Sequence, residues 1–124
     1  MLKPAQTVQV LQRHSEPSTF AAGDAIFREG ETGDLMFGII EGEVEMQING
    51  KTIEILEVGD VFGVGALVHE DQLRTSTAIA KTDCKIAALD QQHFMFAVQS
   101  SPIFALEVIR SYSDRFRKAK EAIS

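Results

Sequence analysis

The sequence has no tryptophan and one cysteine, Cys84. A lone cysteine excludes an intrachain disulfide, which fits a reducing compartment, so a cytoplasmic location is expected. No apolar run approaches the roughly 20 residues that span a bilayer, so no membrane span is expected. Met1-Leu2-Lys3-Pro4 leads into a polar segment and not into the apolar stretch of a secretory signal. Positive charge is in short supply: 12 Lys and Arg face 18 Asp and Glu, for a net charge of −6. That balance argues against direct nucleic-acid binding through phosphates. Histidine is sparse too. His14, His69 and His93 are scattered, with no His-x-His pair of the kind a cupin-like metal site needs. No serine or cysteine has a histidine near it in an arrangement suited to nucleophilic catalysis. The chain is expected to be neither an enzyme nor a metal carrier, and to hold no resident cofactor.

What is present fits one domain. The 124 residues are 44% apolar, enough for a single core and too few for two. Residues 1–18 read as an N-terminal helix and its exit. Pro4 suits a first helical position, Val8 and Leu11 share a face up to His14, and Ser15-Glu16-Pro17-Ser18 breaks the pattern. From 19 to 89 the texture changes to short alternating runs between turn residues, as in an all-β sandwich or barrel. Gly23-Asp24, Gly33-Asp34 and Gly59-Asp60 each suit a tight turn in which the aspartate accepts from nearby backbone N–H groups.

A hairpin is predicted at Glu43–Ile55, turning at Asn49-Gly50 in a type I′ turn. Its alternation should turn Val44, Met46, Ile48, Ile53 and Ile55 inward. Thr75–Ala80 and Cys84–Leu89 read as a second strand pair around Lys81-Thr82-Asp83, with Cys84 in the core. Residues 90–124 read as helices. Asp90 is placed as an N-cap, and Phe94, Phe96, Ala97 and Val98 call for a largely covered helix. Ser100-Ser101-Pro102 divides it from a helix over 105–123. There Ile109, Tyr112, Phe116, Ala119 and Ile123 follow an a/d spacing, which suits a homodimer seam or packing on the chain's own domain. Arg110, Arg115, Arg117, Lys118 and Lys120 read as a solvated face near that helix's C-terminus, or as a dock for an acidic partner.

The candidate site is Phe62-Gly63-Val64-Gly65-Ala66-Leu67 with Arg74-Thr75. A strand-like run ends in two glycines that let backbone approach a ligand. If Ala66-Leu67-Val68 is a helical turn, its first N–H groups lack partners within the helix and face an anion. Arg74 offers a planar fork of donors to the same anion. As an alternative, Arg74 pairs at the surface with Glu70 or Asp71.

These residues resemble the cyclic-nucleotide-binding domain family. Phe20, Gly23-Asp24, Ile26-Phe27, Glu29-Gly30-Glu31, Gly33-Asp34 and Met36-Phe37 are similar to its entry strands. Ile39-Ile40-Glu41-Gly42-Glu43-Val44 is similar to its strand and glycine turn, and Gly59-Asp60-x-Phe62-Gly63 to the approach to its phosphate-binding cassette, here 62–75. The resemblance implies a mainly β fold: an eight-stranded, jelly-roll-like β-roll with flanking C-terminal helices. It also implies a regulatory, signal-transducing module whose ligand is cyclic AMP or cyclic GMP. Arg74 and Thr75 would hold the phosphate with backbone near Gly65 and Ala66, and the signal would pass to the C-terminal helix, through which the resembled bacterial activators dimerise. The sequence departs from the pattern in two places. Val64 replaces the glutamate that accepts from the ribose, and Ala119 and Lys120 stand near the place of two base-contacting hydroxyls. These departures leave two alternatives: a small dicarboxylate such as 2-oxoglutarate, with Lys120 meeting its second carboxylate, or an interaction domain without a ligand.

Overall fold

The computed structural model describes residues 3–12 and 16–123, so the expectations placed on His14 and Ser15 lie outside the described residues. Helix α1 (Pro4–Leu11) precedes strands β1 (Ser18–Phe20), β2 (Ala25–Phe27), β3 (Leu35–Glu41), β4 (Val44–Ile48), β5 (Lys51–Leu56) and β6 (Val61–Phe62). A short helix α2 (Gly65–Val68) follows, then β7 (Thr77–Ala80), β8 (Cys84–Asp90), α3 (Gln91–Ser100) and α4 (Pro102–Ile123). The strands form two antiparallel four-stranded sheets, ordered β1-β8-β3-β6 and β2-β7-β4-β5. This is the expected mainly β architecture with C-terminal helices.

Two cores flank the first sheet. Between the sheets, Phe27, Phe37 and Phe62 gather with Ile39, Val44, Met46, Leu56 and Ile86. Ring centroids in the phenylalanine trio lie 5.3–6.0 Å apart, in the range where aromatic pairs add to simple burial. On the other face, Met36, Val61 and Leu89 meet Ala5 and Val8 of α1, Ala97 of α3, and Phe104 and Val108 of α4. Strand β3 feeds both cores, which explains its nearly unbroken apolar run. Cys84 is buried, and desolvation pushes its thiol pKa up, as suits a core residue.

Local signals behave as their chemistry dictates. Asn49 and Gly50 both have positive φ, as a type I′ turn requires. Asp24 accepts from Ala21 N–H and Asp60 from Glu57 N–H, closing two of the three Gly-Asp turns. Asp90 caps α3, accepting from His93 N–H at 2.8 Å.

Three expectations are corrected. First, Ile53 and Ile55 face out, 54% and 46% exposed, and Ile48 is also exposed. The register moves from Met46↔Glu54 to Gln47↔Thr52, leaving Ile53 as an extra, bulged residue. A bulge shifts the facing of the residues beyond it. Leu56 therefore pairs with inward Val44, and Glu54 lies opposite inward Met46. Second, β7 and β8 do not pair. β7 lies between β2 and β4, and β8 between β1 and β3, so Lys81-Thr82-Asp83 carries the chain from one sheet to the other. Third, α3 is covered on one side only. Ala97 is buried and Phe94 and Val98 are half-buried, but Met95 and Phe96 are exposed.

Candidate anion-binding site

The cassette starts where β6 ends. Gly63 takes φ +78°, a conformation that costs a side-chain-bearing residue strain. The chain then turns into α2, where Leu67 N–H donates to Val64 O at 2.9 Å and the Gly65 and Ala66 amides, at the helix start, have no carbonyl one turn earlier within the helix. Arg74 arrives from below through a backbone clasp: its N–H donates to Glu31 O and its carbonyl accepts from Gly30 N–H, each at 2.8 Å.

Arg74 is not a surface residue. It is 5% exposed, and no carboxylate among the described residues pairs with it, so the expected alternative of a bridge to Glu70 or Asp71 is set aside. Instead Nη1 donates to Gly63 O at 2.9 Å and Nη2 to Leu35 O at 2.6 Å. The guanidinium carbon lies 4.1 Å from the centre of the Phe27 ring. Nε is buried without an acceptor. Gly33 makes this pose possible, since a Cβ there would stand 2.2 Å from Nε. Burial lowers the Arg74 pKa, and Asp34, Tyr112 and Glu31 oppose that shift. Arginine stays charged even so. The site thus holds a buried cation that no carboxylate touches among the described residues, with Asp34 and Glu31 acting on it only from beyond ion-pair distance.

Helix α4 lies over the cassette. Val64 N–H donates to Tyr112 Oη at 3.2 Å. Three residues on, Arg115 stacks on the Tyr112 ring at 4.2 Å and donates from Nη1 to Val61 O. Its Nε and Nη2 both lie 3.2 Å from Glu54 Oε1. Arg115 therefore leaves the solvated cationic face expected for it. Between this lid and the cassette remains a cavity of about 200 Å³, lined by Gly63, Gly65, Ala66, Arg74 and Thr75 of the cassette. Phe27, Met46, Ile53, Glu54, Tyr112 and Arg115 supply the other walls. A larger open groove of about 880 Å³ runs between β5 and the outer half of α4. It contains no cassette residue and mixes charges of both signs, so the smaller cavity is the candidate site. Ile53, Glu54 and Arg115 line both spaces and stand between them.

Five of the eight expected site residues therefore share the cavity wall. Phe62, Val64 and Leu67 are core residues instead. Val64 is 8% exposed, with its side chain among Met36, Val61 and Leu67 and only its amide facing α4. The Val64 side chain therefore does not line the cavity. Neither Ala119 nor Lys120 lines the cavity, and the Lys120 ammonium lies 4.4 Å from the centre of the Phe116 ring. Tyr112, Arg115 and Glu54 take the places that sequence reasoning missed. The spacing of Phe104, Val108, Tyr112 and Arg115 marks one face of α4 and is the signal that finds two of them. Among the described residues no three metal-ligating side chains converge, and no helix is long and apolar enough to cross a membrane.

Comparison with known proteins places the fold in a family. The family described as cyclic nucleotide-binding domain matches residues 17–101. The cAMP-dependent protein kinase regulatory subunit of Schizosaccharomyces pombe is 40% identical over 76 residues, covering 60% of this chain and 18% of that protein. A cyclic nucleotide-gated potassium channel of Rhizobium etli is 38% identical over 98 residues, 79% of this chain and 27% of the channel. The catabolite activator protein of Thermus thermophilus has the same fold, with a TM-score of 0.74 at 21% identity, over 95% of this chain and 57% of that one.

Proposed function

Because the chain belongs to the cyclic nucleotide-binding domain family, we propose that it is a regulatory module, not an enzyme, whose ligand is cyclic AMP or cyclic GMP. The nucleotide's phosphate is held by Arg74, Thr75 and the backbone at Gly65 and Ala66. The observation that carries this reading is the buried Arg74, which has no carboxylate partner and an unsatisfied Nε. Two backbone carbonyls and the Phe27 ring offset part of the cost of burying this charge, and an anion beside it would offset more.

Binding also has a route to α4. Tyr112 Oη occupies the Val64 amide, and the cavity left beneath it, about 200 Å³, is below the roughly 300 Å³ of the smallest typical ligand pocket. A nucleotide that fills the site and reaches the Val64 amide displaces Tyr112 and the helix that carries it. The signal is the difference in affinity between the closed and displaced arrangements. The outer side of α4 exposes Leu106, Ile109, Phe116 and Ile123, which supports a homodimer seam along this helix. A cytoplasmic location accords with the single unpaired cysteine. The dicarboxylate alternative loses its second anchor, because Lys120 lies outside the cavity. The chain spans only a small part of the kinase subunit and the channel. What those whole proteins do therefore does not carry over to it.

A thermal-shift series with cyclic AMP, cyclic GMP and 2-oxoglutarate tests the reading on wild type, Arg74→Ala and Arg74→Lys. A cyclic nucleotide at a hundred times its dissociation constant is expected to stabilise wild type by about 2.7 kcal/mol. Arg74→Ala should lose that shift. Because Arg74 bonds two buried carbonyls, the variant should also be less stable on its own by about 2–3 kcal/mol. Arg74→Lys keeps the charge without the fork and should bind weakly. No cyclic nucleotide shift in wild type, or one that survives Arg74→Ala, overturns the assignment.

A further inference from the structure

Glu54 is out of place in a cavity built for an anion. The bulge at Ile53 puts it on the inner side of β5, in the same wall as Arg74 and Thr75. Arg115 neutralises it. The contact is edge-on: Nε–H and Nη2–H, two donors on one side of the guanidinium plane, both meet Oε1.

A planar edge with two adjacent N–H donors is also what guanine presents at N1 and its exocyclic N2. Both donors can meet one carboxylate in a charge-assisted fork. Adenine presents a single donor, at N6, beside the N1 lone pair, which a carboxylate repels. Resting on the cyclic nucleotide reading above, we infer that Glu54 selects a guanine base, and that Arg115 occupies the guanine position until the ligand arrives. Displacing Arg115 also makes room. Arg115 lines both the small cavity and the 880 Å³ groove, together with Ile53 and Glu54, so its withdrawal thins the wall between the two spaces. Base recognition and release of α4 then become one event, because the base and the helix compete for a single carboxylate.

Calorimetric titration with cyclic GMP and cyclic AMP tests this on wild type, Glu54→Gln and Arg115→Ala. Wild type is expected to prefer cyclic GMP by roughly five- to 150-fold, the range for one bidentate base contact. Glu54→Gln should bring the ratio close to one. The ratio is the informative quantity, since any loosening of α4 changes both affinities together. Arg115→Ala should keep the preference and tighten cyclic GMP, because a competitor has been removed. Equal binding of the two nucleotides, a preference for cyclic AMP, or a ratio unchanged in Glu54→Gln overturns the role of Glu54 while the cyclic nucleotide reading stands. A preference lost in Arg115→Ala moves base reading to Arg115 and also overturns it. Binding of neither nucleotide refutes the underlying reading and the guanine preference with it.

Discussion

Val64→Glu separates the sequence reading from the structural one. By family pattern alone, a glutamate at this position should accept from a ribose hydroxyl and tighten binding by up to roughly tenfold. The structure gives a different expectation. The Val64 side chain lies among Met36, Val61, Leu67 and their neighbours, 8% exposed, and does not line the cavity. Removing a buried valine forfeits about 1.5–3 kcal/mol of burial. A glutamate in its place must either bury a carboxylate without a partner or rebuild α2 to reach water, at a further cost of about 1–3 kcal/mol or more. The total, about 2.5–6 kcal/mol, is a large part of the roughly 5–15 kcal/mol that holds a domain together. The expected drop in melting temperature is about 10 °C or more. Its pH dependence has a definite sign. Burial raises the folded-state pKa of the new carboxyl above its unfolded value, so the folded state binds the proton more tightly. The variant should therefore recover stability relative to wild type as pH falls toward 4. Thermal melts of both proteins from pH 4 to pH 8, with a cyclic nucleotide titration at pH 7, decide the matter. A variant as stable as wild type that also binds more tightly would refute the argument and turn position 64 toward the ligand.

Gly33→Ala should destabilise the chain by about 1–3 kcal/mol and weaken nucleotide binding, because the added Cβ meets an Arg74 side chain held between Gly63 O, Leu35 O and the Phe27 ring. Unchanged melting and unchanged affinity would show that Arg74 has room to move aside. Phe116→Asp places a charge on the exposed stripe of α4, where the native ring is 62% exposed, so the monomer fold should survive. Light scattering should report a dimer for wild type and a monomer for the variant. A monomeric wild type at high micromolar concentration, or a dimer that persists in the variant, contradicts the seam.

Much of the fold was legible because its signals are local. Asn49-Gly50 dictates its turn through positive φ, Asp90 caps the helix that follows it, and Pro102 opens the last one. Errors arose where a distant partner decides the outcome. Ile53 and Ile55 alternate in sequence as inward residues would, and only the pairing with β4 inserts the bulge that turns them out. Thr75–Ala80 and Cys84–Leu89 look like a hairpin because a turn joins them, yet each finds its neighbours elsewhere in the chain. Arg74 was legible as a cation close to a glycine turn. Its inward pose was not, since that depends on Gly33, Leu35 and Phe27, which meet it only in the folded chain.

Helix α4 shows why one sequence pattern admitted two readings. Phe104, Val108, Tyr112 and Arg115 follow its inner face, while Leu106, Ile109, Phe116 and Ile123 follow an outer one. Tyr112 sits where the two faces meet, half-buried, and so it completes the heptad seam on paper while its hydroxyl is bound to the cassette. In the proposed mechanism this double membership gives the transmission route. A turn of α4 about its own axis that draws Tyr112 off the Val64 amide also swings Ile109 and Phe116 by the same angle, because a helix held by its own backbone bonds rotates as a unit. A seam between two copies is sensitive to such a turn, since knobs packed into holes fit at one angle and clash at another. A ligand that displaces Tyr112 and Arg115 therefore needs no further device to be felt at the outer face. If the seam forms, the contact that closes the cavity and the contact between copies cannot change independently.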